Sequence, residues 1–397
     1  MVEQVRHDVA RADSIDANSM LDVLDGEHAG QLGKSTLGRA VSGDRWKAEK
    51  ADGQSEVCRR KTSNNSPFLF FRKSLCLTAY AQSFICTIVM KPLIFALCVV
   101  FTFGGLRAQT NVWQSSPGHM QVPIWPGAVP DAQPVPGPEA VLSSTNWVVA
   151  GKPFVFVVNV SQPTMTVYSP KGTNTGVAVV VFPGGGYNAL AMDLEGTEIC
   201  DWLTSRGITA ALLKYRVPTK LKVWPYSESP QALEDAQRTL GLVRFHAAEW
   251  HINPHKIGVV GFSAGGRMVA AISTHFDKRS YLAVDAADKE SCRPDFAIAC
   301  YPGHLWNEDK GFVLNPNVPV TSNTPPTFLL HAEDDHVDDV EQSLVYYIAL
   351  KKAGVLVEMH LYAQGGHAFG LRPTRFPATR WPQLVETWLG TIGMISE

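Results

Sequence analysis

From residue 153 onward, apolar and polar positions follow two periods in turn, one typical of strands and one typical of helices. Val177–Phe182 is an unbroken apolar run, as expected of a strand buried on both faces of a sheet. Pro230–Trp250 instead carries apolar residues at helical spacing, which predicts a long helix with one apolar face. This alternation predicts a mostly parallel central sheet covered by helices on both faces.

The other elements follow from the same two periods. Two strands open the region, and we expect them to form an antiparallel pair: Phe154–Val158 and Met165–Tyr168. Further strands are predicted at Ile208–Tyr215, Ile257–Phe262, Phe296–Tyr301, Thr327–His331 and Val357–Tyr362. Further helices are predicted at Ile199–Ser205, Val340–Ala353 and Trp381–Ile392. No internal repeat is visible, so we predict one α/β catalytic domain over residues 153–397.

Upstream of this domain, a short cationic start at Met90 leads into an apolar stretch of 11 residues, Leu93–Phe103. Small residues follow, and a small residue at Ala108 fits a cleavage site. The stretch is shorter than the roughly 20 apolar residues that span a membrane. We therefore expect a signal peptide at 90–108 and a secreted or periplasmic protein, with no stable membrane insertion after cleavage.

Two further segments complete the predicted organisation. Residues 1–89 are polar without lasting periodicity, so we expect a non-native or disordered extension, with translation beginning at Met90. Residues 109–152 are rich in proline, which favours extended backbone lying over the surface of a domain.

Composition narrows the function classes only a little. The chain is 45% apolar and 18% charged with a formal net charge of −2, which indicates a globular core and gives no support for nucleic-acid binding. Its seven cysteines show no zinc-type spacing. Three of them follow the predicted cleavage site, and either one disulfide or buried thiols would suit them: Cys200, Cys292 and Cys300.

Ser263 is the candidate nucleophile. It lies in Gly261–Gly265, a Gly-x-Ser-x-Gly sequence between a predicted strand and a predicted helix. Such a turn is the nucleophile elbow of α/β-hydrolases, and its glycines avoid collisions with the neighbouring strand and helix. The alternative is a structural serine in a glycine-rich turn.

A serine nucleophile needs a base, and the base needs an acid to orient it. The α/β-hydrolase order along the chain is serine, acid, histidine. His367 lies among glycines directly after the last predicted strand, so it is the candidate base. A loop histidine without a partner is the alternative.

Five carboxylates between residues 333 and 339 are candidates for the acid. Asp334 and Asp335 closely follow the predicted strand, whereas Asp338 and Asp339 approach the next helix. Position therefore favours Asp334 or Asp335, and the residues alone leave these two open.

The glycines that follow the strand Val177–Phe182 are candidates for an oxyanion hole. Backbone N–H groups of Gly185 and Gly186, joined by that of Ala264, could stabilise an oxyanion. Tyr187 is a candidate substrate-binding residue beside them. Four aromatic residues are candidates for stacking on a sugar: Trp125, Tyr187, Trp224 and Trp306.

Several stretches together resemble the acetyl-xylan-esterase-like branch of the α/β-hydrolases, near the hormone-sensitive-lipase and prolyl-oligopeptidase groups. The stretches are Phe182–Tyr187, Ala191–Gly196, Leu213–Arg216, Gly261–Gly266, Arg293–Phe296, Thr324–Phe328 and Gly365–Gly370. In this family the acid stands eight residues before a serine that opens the next helix, which selects Asp335, eight before Ser343. The family often has a proline three or four residues after the acid, where this chain has Asp338-Asp339.

The resemblance implies a serine carboxylesterase that hydrolyses short-chain acyl esters, with acetyl groups on xylan-type oligosaccharides as the expected substrate. It implies an acyl-enzyme mechanism with no metal or organic cofactor. The alternatives are a general short-chain esterase or lipolytic enzyme, a prolyl-oligopeptidase-like peptidase, and a catalytically silent carbohydrate-binding protein. The region before Val177 is too short and irregular for the propeller that such peptidases usually carry. The oligomeric state stays open.

Overall fold

A computed structural model describes residues 112–144, 147–217, 229–307 and 310–396. The strands are β1 Met120–Pro123, β2 Ala140–Ser143, β3 Val155–Val158, β4 Thr164–Tyr168, β5 Ala178–Phe182, β6 Ala189–Ala191, β7 Thr209–Lys214, β8 Ile257–Phe262, β9 Ala297–Cys300, β10 Thr327–Ala332 and β11 Val357–Tyr362. The α-helices are α1 Glu198–Ser205, α2 Pro230–Phe245, α3 Ala264–Ile272, α4 Glu341–Lys352 and α5 Trp381–Thr391. The predicted extension, the predicted signal peptide and Trp224 lie outside the described residues.

Eight strands form the main sheet, in the order β1-β4-β7-β5-β8-β9-β10-β11. In this order, adjacent strands from β7 through β5 to β11 are parallel, while β1, β4 and β7 pair antiparallel at one edge. Every residue of β5 and β8 is buried, as their unbroken apolar sequences predict. The α/β-hydrolase fold class predicted from the sequence is confirmed. Because the strands are parallel, the carboxyl ends of β5, β8 and β10 lie along the same edge.

The predicted antiparallel pairing of the first two strands of the domain is wrong. Both segments are strands, but β4 pairs with β1 and β7 in the main sheet. β3 pairs instead with β2 and β6, which together form a separate three-stranded antiparallel sheet. Apolar alternation identifies a strand without identifying its partner, and here the partners lie further away along the chain.

The three-stranded sheet packs against the loops that follow β5 and β11. Its apolar side chains form a cluster with residues from both loops: Val149, Phe154, Phe156, Val158, Ala189, Ala191, Leu194 and Ala368. Hydrogen bonds reinforce this packing, since Met192 N–H donates to Val155 O (2.9 Å) and Arg372 donates to Lys152 O (2.8 Å). The sheet therefore braces two loops that are distant in sequence.

The proline-rich segment is built into the sheets and does not simply lie over a surface, because it supplies β1 and β2. Glu139 accepts two hydrogen bonds from the buried Lys214 Nζ, at 2.8 and 2.6 Å. Trp125 is 4% exposed, and its Nε1 donates to Asp235 Oδ1 (2.9 Å). The expectation that Trp125 stacks on a sugar is therefore wrong, because its ring belongs to the core.

Helix α2 ends at Phe245, five residues before the predicted end, and residues 246–250 form turns.

The three described cysteines are free and buried, as in the second of the two alternatives considered for them: Cys200, Cys292 and Cys300. Among the described residues, no helix is long and apolar enough to cross a membrane.

Candidate active site

Ser263 occupies the sharp turn between β8 and α3. Its φ of +52° and ψ of −119° lie in a region that residues with a side chain avoid, at a cost on the order of 1–3 kcal/mol. Main-chain hydrogen bonds hold this conformation, because Ser263 N–H donates to Cys300 O (3.0 Å) and Arg267 N–H donates to Ser263 O (2.9 Å). The turn thus fixes Ser263 at the carboxyl edge of the sheet.

The two motif glycines leave no space for side chains. A Cβ atom on Gly265 would overlap the carbonyl oxygen of Phe182, and one on Gly261 would overlap that of Gly265. The end of β5 therefore approaches the start of α3 closely, which brings the loop after β5 beside Ser263.

His367 and Asp335 form a buried pair. The distance from His367 Nδ1 to Asp335 Oδ2 is 2.7 Å, and Asp335 Oδ1 accepts from the N–H groups of Val337 (2.9 Å) and Asp338 (3.1 Å). Asp334 lies elsewhere, where its Oδ1 accepts from Gly365 N–H and Gly366 N–H at 2.8 Å each. Of the two carboxylates left open by position, the structure thus places Asp335 against the imidazole.

The surroundings favour opposite charges on this pair. Burial opposes ionisation of Asp335, but the charge of His367 and hydrogen bonds from His331 and His367 hold the pKa of Asp335 well below its usual range. Burial also lowers the pKa of His367, but Asp335, Asp338 and Glu195 raise the pKa of His367 to about 9. The neutral imidazole that a general base requires therefore becomes more abundant as the pH rises.

The loop after β5 presents backbone donors. Gly185 and Gly186 have φ angles of +131° and +61°, which glycine adopts without strain. Within the described part of the chain, the N–H groups of Gly185, Gly186 and Ala264 donate to no protein acceptor. They are thus available to a ligand, and their assignment to an oxyanion hole stays a prediction.

The two remaining described candidates for sugar stacking differ in exposure. Tyr187 is buried, with its ring centroid 6.2 Å from that of Tyr215. Trp306 is partly buried, and its Nε1 donates to Gly311 O (2.8 Å).

Glu195 is a site residue that the sequence motifs did not single out. It is 2% exposed, and its Oε2 accepts from Gly184 N–H (2.8 Å) while its Oε1 accepts from the Tyr301 hydroxyl (2.9 Å). The ring of Tyr301 lies 5.0 Å from that of His367. Burial raises the pKa of Glu195, although His367 and both hydrogen bonds oppose that rise. Glu195 therefore connects the loop after β5 with the histidine loop.

We expect Glu195→Gln to lower both stability and turnover. One of its two oxygen acceptors becomes an NH₂ group, so Gly184 loses its acceptor or the Tyr301 hydroxyl can no longer donate there, and both bonds lose their charge assistance, at about 1–3 kcal/mol. Urea unfolding and kcat on p-nitrophenyl acetate would measure the two losses. Glu249→Gln, at an exposed position, is the matched control. Equal behaviour of the two variants would contradict this function of Glu195.

Together, these contacts gather a strained serine, a histidine–carboxylate pair and unpaired backbone donors at one edge of the sheet. Gly303 connects the serine with the histidine–carboxylate pair. Its N–H donates to Ser263 O (3.4 Å), and its Cα faces the carboxylate of Asp338. Asp338 Oδ2 in turn lies 3.9 Å from His367 Nε2. Nucleophile, base and oxyanion donors are the groups that acyl transfer requires.

Two family models match the chain. The model described as BD-FAE matches residues 165–302, and the prolyl oligopeptidase family model matches residues 234–390. The second match includes Ser263, Asp335 and His367.

The names of two curated relatives refer to an ester or to xylan. An acetylxylan esterase of Xylanibacter ruminicola is 30% identical over 240 residues, which cover 54% of this chain and 46% of that protein. Endo-1,4-beta-xylanase B of Butyrivibrio fibrisolvens is 29% identical over 215 residues, covering 50% of this chain and 33% of the relative. The chain thus spans half or less of the length of these two relatives.

A solved structure matches over nearly its whole length. The acetyl ester-xyloside bifunctional hydrolase from Caldicellulosiruptor lactoaceticus is 33% identical with a TM-score of 0.55. The match covers 70% of this chain and 97% of that structure. The mostly parallel sheet and the 33% identity over nearly the whole solved hydrolase both indicate the same family. The chain belongs to the α/β-hydrolase esterases.

Proposed function

We propose that the protein is a secreted or periplasmic serine carboxylesterase that removes short acyl groups, chiefly acetyl, from xylan-type oligosaccharides. The observation that carries this proposal is the buried His367–Asp335 hydrogen bond, at the same sheet edge as the strained Ser263. The acetyl preference is supported by the names of the acetylxylan esterase and the acetyl ester-xyloside hydrolase.

The proposed reaction has two halves. In the first, His367 Nε2 takes the proton of Ser263 Oγ as that oxygen attacks the ester carbonyl, and Asp335 holds the imidazole in the required tautomer. The N–H groups of Gly185, Gly186 and Ala264 receive the oxyanion. His367 then returns the proton to the leaving alcohol, and an acyl-serine remains.

In the second half, His367 takes a proton from water, and the resulting oxygen nucleophile attacks the acyl-serine. The C–O bond to Ser263 breaks, Ser263 Oγ regains the proton from His367, and the acid is released. No group outside the chain, the ester and water enters this balance.

The test is a panel of substrates for the wild-type protein. We expect acetate release from acetylated xylo-oligosaccharides, and a kcat/KM that falls by about tenfold or more from p-nitrophenyl acetate to the octanoate. Activity on small esters without release from the oligosaccharides would instead favour a general short-chain esterase. Cleavage of a prolyl p-nitroanilide without ester hydrolysis would favour the peptidase suggested by the second family model.

Export is a separate part of the proposal and has its own test. The protein recovered from the periplasm or medium of an expressing bacterium is expected to begin at Gln109. Recovery only inside the cell, with the 90–108 segment retained, would contradict export.

A further inference from the structure

A second carboxylate, Asp338, faces the other ring nitrogen of His367. Asp338 Oδ2 lies 3.9 Å from His367 Nε2, whereas Asp335 binds Nδ1. The main chain of Asp338 is fixed on both sides, because its N–H donates to Asp335 Oδ1 (3.1 Å) and its carbonyl oxygen is 2.8 Å from His331 Nε2. Asp338 is 8% exposed, so its carboxylate has little freedom to turn away.

The position of this carboxylate relative to Ser263 follows from Gly303. A Cβ atom on Gly303 would lie 2.7 Å from the carboxyl carbon of Asp338, so the side chain packs directly on Gly303. Gly303 in turn is bonded through its N–H to Ser263 O (3.4 Å). The carboxylate therefore packs on a residue that is hydrogen-bonded to the serine turn, and it lies near Nε2. In the proposed reaction, Nε2 delivers the proton to the leaving alcohol, so the alcohol must pass beside Asp338.

Among the described residues, no side chain or backbone group donates a hydrogen bond to this carboxylate. The titratable groups that face it are His367, His304, Asp335 and His331. Burial raises the pKa of Asp338, whereas the histidines oppose that rise. The side chain of Asp338 keeps 10% of its surface exposed, so a ligand hydroxyl can reach the carboxylate, and a ligand that excludes water from it must supply a donor in its place.

We propose that Asp338 is a specificity-determining residue that binds a hydroxyl group of the alcohol, on the carbon adjacent to the one that bears the esterified oxygen. This inference rests on the proposed function and narrows its substrate class to monoacylated vicinal diols, as in partly acetylated sugars. A hydroxyl at this place donates to the carboxylate, while a methyl or methoxy group there leaves the carboxylate dehydrated and unpaired. An anionic group at the same place is repelled.

The first test uses three acetates and the wild-type protein: 2-hydroxyethyl acetate, 2-methoxyethyl acetate and propyl acetate. The acyl group is the same throughout, and the methoxy ester matches the electron withdrawal of the hydroxy ester without its donor. We expect kcat/KM for the hydroxy ester to exceed that for both others by about tenfold or more.

The second test compares Asp338→Asn and Asp338→Ala with Asp339→Asn, whose side chain is exposed in the same loop. In both Asp338 variants, we expect the preference for the hydroxy ester to fall toward the ratio of the uncatalysed hydrolysis rates of the three acetates. In Asp339→Asn we expect the preference to persist. The kcat/KM of the wild-type protein and of the Asp338 variants on propyl acetate would also be measured as a function of pH. Loss of the Asp338 charge lowers the pKa of His367, so its acid limb moves to lower pH, with Asp335 and Glu195 still in place.

The outcomes separate the two proposals. Hydrolysis of none of the acetates by the wild-type protein would overturn the proposed function itself. Hydrolysis of all three with no preference for the hydroxy ester would overturn only the assignment of Asp338. A preference that persists in Asp338→Ala would do the same. The wild-type comparison holds even if an Asp338 variant does not fold.

Discussion

Replacing Ser263 by alanine is expected to lower kcat on p-nitrophenyl acetate by about 10⁴- to 10⁶-fold. The substitution removes the oxygen that would carry the acyl group, while the strained backbone at φ +52° stays held by Cys300 and Arg267. Steady-state kinetics would measure the loss, and thermal unfolding would verify that the variant is folded.

Ser205→Ala is the matched control, because Ser205 is exposed at the end of α1 and its hydroxyl only caps Trp202 O. We expect this control to retain wild-type turnover. A Ser263→Ala protein that keeps a tenth or more of the activity would place the nucleophile elsewhere.

The second large effect distinguishes the two neighbouring carboxylates. Asp335→Asn is expected to lower kcat by about 10³- to 10⁴-fold, because an amide in this place favours the wrong tautomer of His367. Asp334→Asn is expected to stay within about tenfold of wild type, since its side-chain oxygen can still accept from Gly365 N–H and Gly366 N–H.

Both rates would be measured on p-nitrophenyl acetate over a range of pH, so that a shifted optimum is not mistaken for a loss. If Asp334→Asn were the more damaged of the two, the hydrogen-bond geometry around His367 would not describe the reacting enzyme. Equal losses would indicate that the loop is disturbed as a whole.

The strands that could be predicted best are the ones buried on both faces. Ile257–Phe262 agrees with β8 at both ends, because an apolar run bounded by a lysine and the serine turn leaves little choice. Val357–Tyr362 also agrees with β11, although this edge strand is only partly buried, so burial on both faces is not required for a correct prediction. The partner of β3 could not be predicted, because pairing depends on side-chain packing between segments that only the folded chain brings together.

The residues of the site differ in the same way: those in a local motif could be predicted, and those that depend on long-range packing could not. Ser263 and its glycines form a local motif whose geometry is determined by the turn itself, so a short sequence suffices to find it. Glu195 could have been suspected only as an acid among apolar and small residues, and one of its two donors, Tyr301, comes from a distant segment. The distance between Asp338 and Nε2 depends on how three loops meet, which no spacing in the sequence records.

The three-stranded sheet has a consequence for protein engineering. One of its strands, β6, continues from the oxyanion loop, and its apolar cluster includes Ala368, which follows the catalytic histidine candidate. Mutations at contacting positions combine non-additively. Variants that merge changes from both loops should therefore show epistasis, even where the loops do not touch the same substrate atom. A designer who transplants either loop from another esterase would need to transplant the β2–β3 hairpin with it.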